Sequence, residues 1–199
     1  MAVLSDDAKT FIKRRRKALQ NNDLKSVYAD LTYAGNDVYL EVSEFLYETL
    51  GTKIFKYLST IPGAFLANSK SIKDISIPDN INAIGNSAFK GSSIQSVSLN
   101  QGVEVIGISA FENCKNLKHV DLGAVKVIKS EAFANCPNLR QLYLPESVTM
   151  LGKNVFPDNV IIKSPKRKAK SLRFPKNELE WYRTHLMVDS SQSEEEGEE

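Results

Sequence analysis

A chain of 199 residues, 42% apolar and 25% charged, holds enough apolar material for one buried core, which excludes fibrous, wholly disordered and disulfide-dense classes. No apolar run approaches the roughly 20 residues that span a bilayer, and the first residues carry no apolar signal core, so no membrane association and a cytoplasmic location are expected. The net charge of +2 conceals a division: Asp189, Glu194, Glu195, Glu196, Glu198 and Glu199 stand at the C-terminus, and the other 188 residues carry 26 basic against 18 acidic side chains, or +8.

Residues 1–58 read as a mainly helical capping region. Ser5 caps a helix with Asp6 and Asp7 in its first turn and Ala8, Phe11, Ile12 and Leu19 on one face. Lys13, Arg14, Arg15, Arg16 and Lys17 wrap around that helix, with Arg15 between Ile12 and Leu19 on the apolar side. A second short helix from Asp23 buries Leu24, Val27, Tyr28 and Leu31. Residues 31–42 fit a hairpin about Ala34-Gly35-Asn36-Asp37 as well as a helix. Val42, Phe45, Leu46, Thr49 and Leu50 then form one face of a helix that Gly51 stops.

Residues 59–163 repeat. Ala-Phe recurs at Phe65, Phe89, Phe111 and Phe133, with Val155-Phe156 as a weaker fifth copy, at spacings of 24, 22, 22 and 23. An apolar-Gly pair precedes several copies, as Ile84-Gly85, Ile106-Gly107 and Leu151-Gly152, with Ile128-Lys129 the exception. Each of the first four is followed by an LxxLxL group: Ile72, Ile75, Ile77; Ile94, Val97, Leu99; Leu117, Val120, Leu122; and Leu139, Leu142, Leu144. Small residues fill the turn between: Asn68-Ser69, Gly91-Ser92, Asn113-Cys114 and Asn135-Cys136. One such unit cannot bury its own apolar side, so the units stack as a solenoid. Alternation sends the LxL residues inward, neighbouring units pair as a parallel sheet at about 4.8 Å per repeat, and the phenylalanines form an internal spine.

After the repeats, Val160-Ile161-Ile162 reads as a closing strand. Residues 164–188 form a basic loop, Pro165-Lys166-Arg167-Lys168-Ala169-Lys170, and a capping helix introduced by Phe174-Pro175 and bearing Leu179, Trp181, Tyr182 and Leu186. The loop has the form of a nuclear-import signal if the host is eukaryotic. Residues 189–199 bury nothing and read as a disordered acidic tail, in which Ser191 and Ser193 precede glutamates as an acid-directed kinase prefers.

The segments at residues 77–89 (Ile-Pro-Asp-Asn-Ile-Asn-Ala-Ile-Gly-Asn-Ser-Ala-Phe) and 103–122 resemble the BspA-type leucine-rich repeat, over about five repeats. The resemblance implies a right-handed α/β-type repeat solenoid with a parallel sheet, found in microbial surface proteins, protists and phage, that binds proteins and has no catalytic residues. A helical N-terminal cap and a strand-helix C-terminal cap complete the expected architecture.

The exposed sheet face is the candidate binding site. It presents Asp74, Ser96, His119 and Gln141 in one column and Ser76, Ser98, Asp121 and Tyr143 in the next, flanked by Lys73, Gln95, Lys118 and Arg140. Lys118, His119, Asp121, Arg140, Gln141 and Tyr143 are the expected partner contacts, since aromatic and Arg side chains dominate interface energies. The same pattern also describes a merely solvated sheet. A nucleic-acid-associated or charge-masking factor, of which a phage-encoded inhibitor of a host enzyme is one form, is the alternative. It would act through the acidic tail or through Lys13, Arg14, Arg15, Arg16, Lys17, Lys166, Arg167 and Lys168. Self-assembly through a coil end or a flat face is a third reading. Cys114 and Cys136 occupy one column with Ser69 and Ser92, which favours small buried groups and reduced thiols over a disulfide. Cys114, Cys136, His119 and His185 form no CxxC and no paired Cys/His spacing, so a four-ligand Cys/His zinc site is not expected, and neither cofactor nor metal is expected. Glu104, Glu112, Asp121 and Glu131 lie at exposed, non-convergent repeat positions, so no enzyme is expected.

Overall fold

The computed structural model describes residues 4–21, 23, 26–27, 36–165 and 186–189. It begins with α1 (Asp6–Arg14), whose Ser5 Oγ accepts the Ala8 amide at 3.2 Å. The single helix expected through Leu19 breaks at Arg15 (φ −98°, ψ 9°), and α2 (Arg16–Gln20) follows. Five adjacent cations place like charges three and four residues apart, which opposes one continuous helix there. The Asp23 side chain caps the next turn by accepting the Ser26 amide at 3.2 Å, and Val27 is buried as expected. Leu24, Tyr28 and Leu31 lie outside the described residues.

The hairpin alternative is overturned from residue 36 onward. Helix α3 (Asn36–Leu50) takes in Val38 and Tyr39, which pack on the core with Val42 and Leu46 at helical spacing. Gly51, at φ +58°, ends it, and a 3-10 helix (Gly51–Tyr57) buries Ile54 and Phe55.

The solenoid follows as short strands in coils: β1 (Thr60–Ile61), β2 (Asp74–Ser76), β3 (Ala83–Ile84), β4 (Ser96–Ser98), β5 (Val105–Ile106), β6 (His119–Asp121), β7 (Val127–Ile128), β8 (Gln141–Tyr143), β9 (Met150–Leu151), β10 (Ile161–Pro165) and β11 (Leu186–Asp189). The two-residue strands form a continuous parallel rear sheet, β1-β3-β5-β7-β9. The front sheet is also parallel, but it divides into β2-β4-β6 and β11-β10-β8. The single sheet expected from the repeats is therefore interrupted, because β6 and β8 are not hydrogen-bonded neighbours. Val120 of β6 is only half-buried there, whereas Ile75, Val97 and Leu142 are buried.

Between the sheets runs the expected spine. Phe89, Phe111, Phe133 and Phe156 stack nearly parallel, with centroids 5.1, 5.2 and 6.0 Å apart. Phe55, inside the stretch assigned to the cap, lengthens the spine by meeting Phe65 edge-on at 5.6 Å. Asn80 Nδ2 ties that 3-10 helix to the first coil by donating to the Phe55 and Leu58 carbonyls, both at 2.6 Å. Ala8, Val27, Val42 and Leu46 join the solenoid residues in one core. A carboxylate locks the junction: Glu44 Oε1 accepts the hydroxyls of Ser69 (2.8 Å) and Ser71 (3.0 Å) and the Lys70 and Ser71 amides. Burial raises the Glu44 pKa, but these donors outweigh it and hold the carboxyl below its ordinary value.

The column Ser69, Ser92, Cys114 and Cys136 is buried throughout, and both cysteines are free thiols. Cys114 Sγ donates to the Phe89 carbonyl and Cys136 Sγ to the Phe111 carbonyl, each at 3.1 Å. Its hydrogen bond with Cys114 and its burial push the Cys136 thiol well above the ordinary range. Iodoacetamide at mildly alkaline pH is therefore expected to leave Cys136 unmodified in the folded protein and to alkylate it after urea unfolding; rapid native-state labelling by mass would contradict this.

At the far end, β10 pairs β8 in parallel, so the expected closing strand is present but is not the last. Leu186, expected on a helix, stands in β11 opposite Ile162, and Asp189, expected in the tail, stands opposite Pro165. The open edge of β10 offers unpaired amides and carbonyls, and the apolar run Leu186-Met187-Val188 satisfies them as a strand. Lys166, Arg167, Lys168, the helix expected from Phe174 to Tyr182 and residues 190–199 lie outside the described residues. Among the described residues no helix is long and apolar enough to cross a membrane.

Candidate protein-binding face

Register fixes what the front sheet presents. Across β2, β4 and β6 the outward residues align as Asp74-Ser96-His119 and Ser76-Ser98-Asp121; across β8 and β10 they align as Gln141-Ile161 and Tyr143-Lys163. Where β6 and β8 part, a shallow hollow of about 360 Å³ opens on this face. His119, Asp121, Gln141 and Tyr143 line it with Ser96 and Ser98, over a floor of Val97, Val120 and Leu142. Four of the six expected contact residues thus meet at one place. Lys118 and Arg140, the other two, are exposed immediately before β6 and β8.

The chemistry of the face is graded along the solenoid. Asp74 is engaged at one end, where Ser96 Oγ donates to its carboxylate at 2.7 Å. Asp121 Oδ1 accepts the Gly123 amide at 3.0 Å, closing the turn after β6. Toward the other end stand two exposed hydrophobic side chains, Tyr143 (44%) and Ile161 (43%). Lys163 stands in register with Tyr143, the Arg140 carbonyl accepts the Ile161 amide at 2.8 Å, and among the described residues no ion pair engages Lys118, Arg140 or Lys163. Ile161 and Lys163 are residues of this face that the repeat pattern did not yield. The signal was present in Val160-Ile161-Ile162, because a fifth front strand continues both outward columns.

Of the N-terminal basic cluster, Lys13, Arg14, Arg16 and Lys17 are exposed and Arg15 is half-buried, as its position between Ile12 and Leu19 predicts. A second, more acidic hollow of about 830 Å³ lies at the Phe156 turn and includes Glu112, Glu131 and Asp158. Its carboxylates serve neighbouring coils. Glu112 pairs with Lys90 at 2.7 Å, which with other hydrogen bonds holds its pKa down, and Glu131 accepts the Ser109 hydroxyl at 3.2 Å. Glu104 likewise pairs with Lys126 at 2.5 Å. No group of three or more His, Cys, Asp or Glu side chains suited to a metal ion occurs among the described residues.

The model of the BspA type leucine rich repeat region matches residues 44–164 in six copies. The chain belongs to this family. The match begins within α3, before residue 59, in keeping with the place of Phe55 in the spine. Members of this BspA-type repeat family are typically protein-interaction modules and generally not enzymes. Similar solved structures include the T. pallidum leucine-rich-repeat protein TpLRR, at 22% identity over 54% of this chain and 57% of that one, with a TM-score of 0.44. A leucine-rich cell surface protein of Faecalibacterium prausnitzii is 21% identical over 63% of this chain and 35% of its own, with a TM-score of 0.47. The pneumococcal vaccine antigen PcpA is 27% identical over 49% and 31%, with a TM-score of 0.42. This BspA-type chain therefore spans between 31% and 57% of those three proteins. No curated protein gives a significant match.

Proposed function

We propose that this BspA-type solenoid is a non-catalytic interaction module that binds a partner protein on the front-sheet face, at the hollow where β6 and β8 part. The observation that carries the reading is the exposure of Tyr143 and Ile161 beside Arg140 and Lys163 on an otherwise polar face. Tyr143 lines the preformed hollow and Arg140 is exposed just before β8, and aromatic rings and guanidinium groups are the side chains that supply most interface energy. Strands held by stacked coils lose little freedom on binding, so the contact energy is not spent on ordering the site.

The test is capture from a lysate of the native host on immobilised protein. The wild type is expected to retain one stoichiometric protein through nuclease treatment and high salt. Replacing Tyr143 and Arg140 with alanine together is expected to weaken that retention by about a hundredfold, from roughly 1–2 kcal/mol at each side chain, with the melting temperature unchanged. Unchanged retention moves the site off this face. Retention that vanishes with nuclease, and on neutralising Arg14 and Arg16, replaces the reading with the nucleic-acid one.

A further inference from the structure

We infer that the rear sheet is a self-association surface on which a second copy of this chain packs antiparallel. The outward residues of the rear strands align in register as Thr60, Ala83, Val105, Val127 and Met150. From β3 to β9 that row is wholly apolar, whereas the matching columns of the front sheet between β2 and β8 are polar or bear Tyr143. Met150 is 48% exposed, and Ile108, just beyond β5, is 45% exposed. Parallel sheets are ordinarily covered on both faces, and among the described residues no layer covers this one.

What selects a second copy is the flank of the row. Backbone bonds link Asn82, Glu104, Lys126 and Thr149 in successive coils: the Glu104 amide donates to the Asn82 carbonyl (2.8 Å), Lys126 to Glu104 (2.9 Å) and Thr149 to Lys126 (2.8 Å). Each of these residues directly precedes its apolar neighbour in the row. Glu104 and Lys126, paired at 2.5 Å and each 53% exposed, therefore stand directly before the adjacent strands β5 and β7. A two-fold axis along the strand direction, passing between β5 and β7, reverses the order of coils in the second copy. It sets Glu104 opposite the second copy's Lys126, and Lys126 opposite its Glu104. The same operation places Val105 against Val127 and the small Ala83 against the long Met150. The row is thus complementary to itself in charge and in side-chain size, and a partner of unrelated sequence would not require either.

Sedimentation equilibrium of the full chain over a concentration series tests this. The expected result is a concentration-dependent shift from the 22.2 kDa chain to twice that mass. Lys126→Glu gathers four carboxylates at the axis and is expected to weaken the dimer by at least about tenfold, and the double variant Glu104→Lys with Lys126→Glu is expected to restore it. Val127→Lys weakens it through the apolar row, and a thermal melt shows that each variant is folded. A wild type that stays monomeric throughout, or a dimer that neither Lys126→Glu nor Val127→Lys weakens, overturns the inference. Tyr143→Ala and Arg140→Ala are expected to leave the mass unchanged, so failure here and failure of the front-face reading are seen separately.

Discussion

Replacing Phe111 with alanine is expected to destabilise the protein by about 3–5 kcal/mol, read as the shift of the urea unfolding midpoint at constant slope. The ring is fully buried between two others, 5.1 Å from Phe89 and 5.2 Å from Phe133, with interplanar angles of 11° and 1°. A cavity at this point has little means of closing. The spacing of the coils is held by the ladders on both sides of the spine, and by turn bonds such as the Phe111 amide to the Ala132 carbonyl at 2.8 Å. The neighbouring rings therefore cannot slide together, and the loss includes the cavity as well as the transfer of the ring from water. The position also couples to the next coil, because the Phe111 carbonyl accepts Cys136 Sγ. In a solenoid each unit is stabilised by its neighbours, so a defect in a central coil weakens two interfaces at once. Phe156→Ala is expected to cost less, since that ring is 6.0 Å from Phe133 and is slightly exposed. A loss at Phe111 under about 1.5 kcal/mol would show that the spine relaxes, and that the ladders alone set the coil spacing.

The spine was legible because stacking imposes a constant period on every coil. Phe65, Phe89, Phe111, Phe133 and Phe156 show that period directly in the chain, and the LxL alternation then gives the inward residues. Phe55 escaped because it belongs to no Ala-Phe pair; it joins the spine from a 3-10 helix whose direction depends on Asn80 and on the packing of α3. The ambiguity before Val42 had a physical source. Ala-Gly-Asn-Asp suits a hairpin turn and a helix start equally, and the tertiary contact from Tyr39 Oη to the Gly63 carbonyl (3.1 Å) lies 24 residues away. The candidate face was legible residue by residue, since outward positions follow from the pleat. Its central feature was not. The parting of β6 from β8 leaves no trace in a repeat spacing that stays at 22 residues between Phe111 and Phe133. Leu186 was assigned to a helix because its apolar neighbours Trp181 and Tyr182 suggested helical spacing, whereas the unpaired edge of β10 draws it into a strand.

Gly107→Ala is expected to cost about 2–3 kcal/mol, because an added Cβ would meet fixed backbone atoms as well as the Asn86 side chain. It would stand 2.7 Å from the Asn86 nitrogen and 2.7 Å from the Gly85 carbonyl carbon, atoms of the preceding coil. Gly85 cannot retreat, since its own Cβ position is 2.6 Å from the Gly63 nitrogen and the Ile61 oxygen. Relief must come from lifting the coil, which stretches the bond from the Gly107 amide to the Ile84 carbonyl (2.9 Å) and separates Phe111 from Phe89. The reduced freedom of the unfolded alanine chain returns only about 0.4–1 kcal/mol. The repeat contains its own control. Lys129 occupies the same column and already carries a Cβ while its amide keeps the equivalent bond to Ile106 at 3.0 Å, so Lys129→Ala is expected to fall within about 0.5 kcal/mol of the wild type. Denaturant melts of the two variants side by side decide the matter. A clear loss at Gly107 with none at Lys129 makes glycine a spacing requirement of particular coils. Equal, small effects at both would mean that every coil can adopt the local path taken at Lys129, and that the close approach at Gly107 follows from the absent side chain rather than demanding its absence.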